Sequence, residues 1–305
     1  MVKRLLILDA NSIIHRTYHA LPPLKTKNGK LVNAIYGFLL VLFKVIEEFR
    51  PFYICACFDF PAKTFRHEKF KEYKAKRPPT PSDLISQIPT IKEFLKAFKI
   101  PIFEKEGFEA DDLIGTIVLK SQGVEKIIVS GDLDNLQLVS KETKVFVLSG
   151  VKKSTLYTEK EVEEKYQGLK PKQLLDLKAL VGDKSDNIPG IQNIGPKTAQ
   201  KLIFKFGCVE NIYSEIEKNS KNSKEITPKI REILLEAKEQ VFLSKELAKI
   251  NQDVPIDFDL KKCSFGDFDE LQIRKLFEEM GFKSLIKRLQ EIKNLLHSND
   301  NLKLF

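Results

Sequence analysis

The chain has 305 residues, of which 42% are hydrophobic and 30% are charged; 51 Lys and Arg oppose 42 Asp and Glu, which gives a net charge of +9. This composition can bury a core and excludes wholesale disorder, and no heptad, Gly-X-Y period or fixed repeat points to a coiled coil, collagen or solenoid. The length suits one large domain or two smaller ones.

The first half of the chain alternates strand and helix patterns. Buried strands are predicted at 3–9, 52–58, 126–129 and 145–148, and helices at 33–49, 82–98 and 109–119. Strands that alternate with helices predict an α/β fold with a mostly parallel central sheet and helices on both faces.

From about residue 158 the pattern becomes helical and rich in lysine. Helices are predicted at 159–166, 171–180, 196–206, 209–217, 228–237, 240–250, 269–280 and 284–296, with a polar loop at 219–224. We therefore expect an α/β part at 1–165 and a helical part at 166–305, packed together.

Signals for membranes and secretion are weak. The longest apolar stretch, 34–46, contains Lys44 and is shorter than the roughly 20 residues that span a bilayer. The apolar run near the N-terminus is too short for a signal peptide and meets Asp9 at once. Four cysteines without a CxxC pair predict buried, reduced thiols, so we expect a cytoplasmic protein without a membrane partner.

The histidines form no recognisable catalytic or zinc-binding motif, and common nucleotide-binding and hydrolase motifs are absent from the sequence. His15 and His19 lie four apart in a predicted helix after Asp9, without a third histidine or an HEXXH motif, which favours packing or surface roles. No Walker A, GxGxxG or GxSxG motif is present, which argues against a kinase, a dinucleotide enzyme or an α/β-hydrolase.

Three predicted strands run into an acid at their carboxyl ends: Asp9, Asp59 and Asp132. In an open parallel sheet, ligands bind outside these ends. Converging carboxylates repel one another, and a bound metal ion relieves the repulsion.

Six further acids stand at the ends of predicted elements: Glu109, Asp111, Asp112, Asp134, Asp183 and Asp186. Taken singly, each run also fits a helix N-terminus or a surface turn. Together, nine hard oxygen ligands without His or Cys favour two or more Mg²⁺ ions, with Mn²⁺ as a substitute. Two-metal sites are typical of nucleases, polymerases and phosphatases. The other 33 acids against 51 basic residues leave the rest of the chain at +18, which favours a phosphate polymer as substrate.

The segment 62–77 combines seven Lys and Arg with interleaved aromatic residues directly after Asp59. Cations contact phosphates and aromatic rings stack on unpaired bases, so Arg66, Lys69 and Tyr73 are candidate DNA contacts. Lys74 and Arg77 are the candidates for stabilising the scissile phosphate. The alternative is a solvated charged helix whose aromatic residues face the core.

A second candidate DNA contact is the glycine-rich segment 189–199. Glycines allow close backbone approach, and a helix that starts at Gly195-Pro196 presents free amides to phosphate. Such a loop would bind duplex DNA through its backbone; a simple Gly-Pro turn is the alternative. The candidate residues are Gly190, Ile191, Ile194, Gly195, Lys197, Thr198 and Lys201.

These motifs, in this order, resemble the bacterial and phage 5′-nucleases of the flap endonuclease superfamily, which include the 5′→3′ exonuclease domain of bacterial DNA polymerase I. The resemblance rests on LDAN at 8–11, FD at 58–59, TFRHE at 64–68, YKAKR at 73–77, GFEADD at 107–112, GDLD at 131–134, GDKSDNIPG at 182–190 and GPKTA at 195–199. It covers about residues 3–290.

The resemblance implies a PIN-like nuclease core with a helical arch near 62–95 and a helix–turn–helix-like duplex-binding module near 183–210. It implies a K⁺ ion held by backbone carbonyls of that module. It also divides the metal ligands into a first group (Asp9, Asp59, Glu109, Asp111, Asp112 and Asp132) and a second group (Asp134, Asp183 and Asp186).

We therefore expect a Mg²⁺-dependent, monomeric 5′→3′ exonuclease and 5′-flap endonuclease acting on DNA with a free 5′ end, including RNA-primed DNA, in primer removal and repair. A DNA polymerase would act in trans or form the remainder of the chain. The alternatives are a non-catalytic DNA-binding protein on the same fold, a PIN-like RNase and a phosphatase for small substrates.

Overall fold

The computed structural model describes residues 3–151, 153–218 and 226–300, the last four by their backbone alone. In these ranges one sheet has the strand order β3-β2-β1-β4-β5-β6, and only β6 runs antiparallel to its neighbour. Its strands are β1 (Arg4–Asp9), β2 (Tyr53–Cys57), β3 (Ile102–Phe103), β4 (Glu125–Ser130), β5 (Thr143–Leu148) and β6 (Ser154–Tyr157). The mostly parallel sheet is confirmed; the short β3 and the partly exposed β6 were not predicted.

The central strand β1 explains the layered core. Leu6 and Leu8 pack into one hydrophobic cluster, whereas Leu5 and Ile7 pack into the cluster on the other side of the sheet. Successive side chains of a strand point to opposite faces, so an uninterrupted apolar run requires cover on both faces. The helices of this part provide that cover: α1 (Ala10–Ala20), α2 (Asn33–Phe49), α3 (Phe65–Lys69), α4 (Ser82–Ile85), α5 (Ile88–Ala97) and α6 (Ala110–Lys120).

The single helix predicted at 82–98 is wrong, because α4 and α5 are separated at Ser86 and Gln87. Pro89 stands in the first turn of α5, where its missing amide costs nothing, but within a longer helix its ring would clash with the preceding turn. The buried Gln87 side chain accepts hydrogen bonds from the first amides of α2. The predicted arch region 62–95 therefore consists of three short helices joined by turns.

The helical part has its own hydrophobic cluster, and its helices lie close to the predicted positions. They are α7 (Glu159–Lys165), α8 (Leu174–Val181), α9 (Pro196–Phe206), α10 (Val209–Glu217), α11 (Pro228–Glu236), α12 (Lys238–Ala248), α13 (Glu270–Met280) and α14 (Lys283–Asp300). The loop predicted at 219–224 lies outside the described residues. The chain then returns to the α/β part, where Phe277 of α13 packs against Phe43 and Phe94.

Candidate active site

The carboxyl ends of three adjacent strands form one edge of the site. Asp9 is the last residue of β1, and Asp59 and Asp132 follow β2 and β4 by two residues. Because these strands are parallel neighbours, their acids line one cavity of about 440 Å³. Sequence order alone places them far apart, and the sheet brings them together as predicted.

The first turn of α6 supplies the opposite wall. Glu109 is the N-cap residue of this helix, and both Glu109 and Asp111 line the same cavity. The α6 backbone is tied to the strand end, because the Ala110 amide donates a 2.8 Å hydrogen bond to Asp59 Oδ1.

Asp112, predicted as a metal ligand, points away from this cavity and is fully buried. Its two oxygens accept hydrogen bonds from Arg66 at 2.7 and 2.8 Å, and also from the amides of Glu109 and Asn251. A carboxylate with four donors on its two oxygens is already neutralised and fully hydrogen-bonded. The structure corrects the prediction: Asp112 joins α3, α6 and the loop after α12.

Arg66 and Tyr73, predicted as DNA contacts, are also inside the protein. Arg66 is 2% exposed and also donates to the carbonyls of Leu247 and Lys249. Tyr73 is 3% exposed, and its hydroxyl lies 3.0 Å from Glu109 and 3.1 Å from Asp186. Both side chains lie in the protein interior and hold acidic side chains in place: Arg66 holds Asp112, and Tyr73 holds Glu109 and Asp186. This corrects the prediction that Arg66 and Tyr73 contact DNA.

The acids of the second group come from two distant segments of the chain. Asp134 begins a 3₁₀ turn after β4, whereas Asp183 and Asp186 follow α8. One oxygen of each of these three carboxylates lies within 4.8 Å of the others. The predicted second group is therefore one compact cluster, adjacent to the first through Asp186, which also lines the first cavity.

Two glycines explain why the segment 182–190 can fold this way. Gly182 has φ of 77°, and a Cβ added there would lie 2.4 Å from the Gly190 amide nitrogen. A Cβ on Gly190 would lie 2.0 Å from the Val181 carbonyl oxygen, so only glycine permits this backbone crossing. Paired hydrogen bonds between Asp183 and Ile188 close the loop that carries Asp186.

Burial and mutual repulsion dominate the electrostatics of the first group. Burial, with the charges of Asp59 and Asp132, raises the pKa of Asp9 to about 7, although Ser130 donates a hydrogen bond to it. Burial, with the neighbouring Asp9, holds the pKa of Asp111 well above its usual range. A cation that binds between such carboxylates stabilises them, because it offsets their mutual repulsion.

The second group already has a cationic partner that the sequence analysis did not identify. Lys178 of α8 forms ion pairs with both Asp134 and Asp183. Burial raises the pKa of Asp134 to about 7 against the opposing charge of Lys178. Burial also acts to raise the pKa of Asp183, but Lys178 and hydrogen bonds from Ser185 outweigh burial and lower this pKa to about 2.

Lys74 and Arg77 face the same cavity, as their predicted role requires. Lys74 donates a 2.7 Å hydrogen bond to Glu109 Oε1, and its backbone adopts a left-handed φ of 55°. Arg77 forms an ion pair with Asp186 and keeps 46% of its side chain exposed. Lys69 lies further out and pairs with Glu246.

Helix α1 contributes further residues to the cavity. The sequence analysis did not consider Ser12 and Arg16, and it assigned no site role to His15 and His19. Ser12 Oγ accepts a 2.9 Å hydrogen bond from the Gly131 amide, and Arg16 donates to the Gly131 carbonyl at 2.7 Å. The half-buried His15 and the exposed His19 line the cavity too, which is compatible with their predicted packing or surface roles. Their position in the sequence could have indicated this location. Residues three or four apart lie on one face of a helix, and a helix that starts directly after Asp9 begins at the edge of the sheet where the acids lie.

The glycine-rich segment leads into α9 as predicted, with Gly195 as its N-cap residue. The side chains of Ile191 and Ile194 are buried in the helical cluster, so this loop presents its backbone. Lys197 and Lys201, four residues apart on α9, are exposed, and Thr198 between them is half-buried.

A carboxylate cluster of this kind on a mostly parallel sheet, followed by a helical part, defines a nuclease-type fold with an acidic centre. The family model for the 5′-3′ exonuclease N-terminal resolvase-like domain matches residues 4–167, and that for the 5′-3′ exonuclease C-terminal SAM fold matches residues 169–271. The chain belongs to the 5′-3′ exonuclease family, which confirms the predicted membership of a nuclease family.

Similar proteins agree with this assignment. The chain is 40% identical to a 5′-3′ exonuclease of Aquifex aeolicus over 95% of this chain and 96% of that protein. It is also 40% identical to DNA polymerase I of Bacillus caldotenax, over 95% of this chain but only 33% of that protein. The chain thus spans about a third of the polymerases that it matches.

Among solved structures, a complex of the bacteriophage T5 flap endonuclease with DNA and metal ions has the same fold. It has a TM-score of 0.67 at 20% identity and covers 97% of this chain and all of that one. In the part of the present chain that the structure describes, no helix combines the length and apolar character that a bilayer crossing requires.

Proposed function

We propose that this chain is a divalent-metal-dependent 5′ nuclease that cleaves DNA at 5′ ends and near the junctions of 5′ flaps. The observation that carries the proposal is the convergence of eight acids from separate segments, with the cationic side chains of Lys74 and Arg77 facing the same cavity. The acids are Asp9, Asp59, Glu109, Asp111, Asp132, Asp134, Asp183 and Asp186.

The donor set fits hard divalent cations. Its members are carboxylate oxygens, and burial together with neighbouring negative charge raises the pKa values of Asp9 and Asp111. We assign the ions as two or more Mg²⁺, replaceable by Mn²⁺. When bound, such ions supply activation of water and neutralisation of charge at phosphorus.

The residues of this chain hold the substrate for that chemistry. Lys74 and Arg77 can exchange their present carboxylate partners for the oxygens of the scissile phosphate, because both face the cavity and Arg77 is half-exposed. There they stabilise the charge that develops as water attacks phosphorus and the 3′ oxygen leaves. The products carry a 5′ phosphate and a 3′ hydroxyl.

The duplex part of the substrate would lie along the start of α9. The exposed Lys197 and Lys201 contribute phosphate contacts there. A K⁺ ion at the carbonyls of this loop stays a prediction. The carbonyls of Pro189 and Gly190 already accept hydrogen bonds from Ser244 and Gln240 of α12.

In the cell, this activity would remove RNA primers and displaced flaps. A polymerase would act in trans or as a further part of the same polypeptide, as in the DNA polymerase I relatives.

The first test is a DNA flap labelled at its 5′ end and incubated with Mg²⁺ or with EDTA. We expect a Mg²⁺-dependent product released near the junction, and tight binding without cleavage in both conditions would instead indicate a binding protein. A single-stranded RNA of equal length is the matched substrate, and its preferential cleavage would indicate a PIN-like RNase.

Two variants assign the roles. Asp183→Asn combined with Asp186→Asn should abolish flap cleavage and retain DNA binding, and unchanged cleavage would refute the metal assignment. Lys74→Ala should lower turnover far more than affinity, and a change in binding alone would remove Lys74 from the reaction.

A further inference from the structure

Lys178 lies inside the second acidic group rather than beside it. Its ammonium group is 2.6 Å from Asp183 Oδ2 and also contacts Asp134 Oδ1. Oxygens of Asp134, Asp183 and Asp186 lie within 4.8 Å of one another. The lysine nitrogen therefore takes the position that a cation shared by Asp134 and Asp183 must take.

The ammonium and a divalent ion cannot use these oxygens at the same time. A Mg²⁺ ion binds carboxylate oxygens directly at about 2.0–2.1 Å, in a near-octahedral shell that leaves no room for an interposed ammonium. Three clustered carboxylates without any cation would repel one another strongly at this degree of burial. A cation between these carboxylates is therefore favoured, and the Lys178 ammonium and a divalent ion compete for the same place.

The structure also provides a place for a displaced lysine. The Lys178 side chain is 22% exposed and lines a cavity of about 700 Å³ between the α/β part and the helical part. Lys165 and Tyr166 line the same cavity. A flexible four-carbon side chain can swing its ammonium into this space without any movement of α8.

We propose that Lys178 is a built-in competitor for the divalent cation at the second group. It keeps Asp134 and Asp183 together in the metal-free protein and must leave before an ion binds there. This inference rests on the proposed function, since it takes the second group to be a metal site. It follows that the apparent metal affinity of the second site lies below its intrinsic affinity, because it is reduced by the fraction of time that Lys178 occupies the site.

The test is Mn²⁺ binding to the full chain without DNA, followed by the electron paramagnetic resonance signal of free Mn²⁺. Lys178→Met keeps the length of the side chain and removes its charge. We expect the weaker Mn²⁺ site to tighten by about tenfold, because the competitor is gone. The metal-free variant should also melt at a lower temperature than the wild type, since its acids lose their shared partner.

Lys165→Met is the matched control. Lys165 lines the same cavity and carries the same charge, but its ammonium lies over the rings of Tyr157 and Tyr166 instead of between acids. The Lys165→Met variant therefore measures how the loss of a nearby positive charge alone changes Mn²⁺ binding. Lys178→Arg keeps a cation at the site and should retain weak binding there.

The inference is overturned if Lys178→Met binds Mn²⁺ as the wild type does, tightens no more than Lys165→Met, or loses affinity. Lys178→Gln provides the same comparison if the methionine variant aggregates. Asp183→Asn combined with Asp186→Asn separates the two proposals. If the wild type binds no more Mn²⁺ than this double variant, the metal assignment of the proposed function fails. If the wild type binds more but Lys178→Met has no effect, only the role of Lys178 fails.

Discussion

The two acidic groups use opposite electrostatic arrangements within one cleft. In the first group, burial and neighbouring carboxylates raise the pKa values of Asp9 and Asp111. In the second group, Lys178 pairs with two acids and Arg77 with the third, and the pKa of Asp183 falls to about 2. Asp9 and Asp111 of the first group are therefore held in a repulsive state, whereas Asp183 of the second group is stabilised by Lys178. Neither group is uniform, because Lys74 pairs with Glu109 and burial raises the pKa of Asp134 to about 7.

This difference has a consequence for stability and for metal binding. Repulsive acids destabilise the metal-free fold, and a divalent cation relieves them directly. Paired acids stabilise it, and a divalent cation must replace the existing partner. The two groups should therefore respond with opposite signs to the loss of one carboxylate.

Asp111→Asn should have the largest effect on activity. We expect cleavage to fall by at least about 1,000-fold, since metal coordination supplies several kcal/mol of transition-state stabilisation. The metal-free variant should nevertheless melt at a higher temperature than the wild type, because one repelling charge is gone. Asp183→Asn is the counterpart and should melt at a lower temperature, because Lys178 loses a partner. Calorimetry in EDTA measures both, and equal signs for the two variants would refute the contrast.

Arg66→Met should have the largest effect on stability. It leaves the fully buried Asp112 without its bidentate partner, which costs about 3–5 kcal/mol of unfolding free energy. Chemical denaturation measures this loss. Asp112→Asn is the companion variant: it should lower stability yet leave the number of bound Mn²⁺ ions unchanged. Loss of an ion in that variant would restore Asp112 to the first group of ligands.

The stability of the metal-free protein should depend on pH in a direction set by buried acids with a raised pKa, which include Asp9 of the first group and Asp134 of the second. The pKa of Asp9 is about 7 in the folded chain against an ordinary value of 3.8, so the folded state binds more protons between these values. Stability then falls as the pH rises through this window. Melting curves in EDTA from pH 5 to pH 8 should show the decline, and Mg²⁺ should raise the melting temperature more at pH 8 than at pH 6.

Asp9→Asn provides the control for this pH dependence. Its melting temperature should vary less with pH than that of the wild type, because one of the titrating carboxyls is absent. A wild-type melting temperature that stays constant or rises from pH 5 to pH 8 would contradict the repulsive state of the first group.

Lys197→Ala should have the smallest effect and act outside both groups. We expect weaker duplex binding and a salt dependence reduced by roughly one unit of log–log slope, because one phosphate contact is lost. Lys275→Ala removes an equally exposed charge from α13, which packs against the α/β part, and should leave the slope unchanged. Equal slopes for the two variants would remove Lys197 from the duplex contact.

Periodicity and strand-end acids made much of the fold predictable. The apolar run of β1 requires helices on both faces, and the structure has them. The lysine-rich helices after residue 158 also lie where their 3.6-residue pattern predicts. The break between α4 and α5 had a local signal in Pro89 that the helical periodicity outweighed, whereas the hydrogen bond from the Ala34 amide to the Gln87 side chain spans 53 residues and has no local signal.

Local motifs are enough to predict the class of chemistry. Acids at strand ends, an acidic helix start and the GDKSD motif are local features, and their oxygen chemistry favours hard divalent cations wherever they meet. The mostly parallel sheet follows from local patterns as well, because a strand that is buried on both faces has a nearly continuous run of apolar residues.

Packing in three dimensions sets which charged side chains face the cleft and which pair with one another. Asp111 and Asp112 are neighbours in sequence, yet one lines the cavity and the other pairs with the buried Arg66. In the sequence, Lys178 is one of many helical lysines. In the folded protein, two distant segments place Asp134 and Asp183 in contact with its ammonium group. The free energy of a charge depends on burial and on partners within a few ångströms, and these are properties of packing in space rather than of position along the chain.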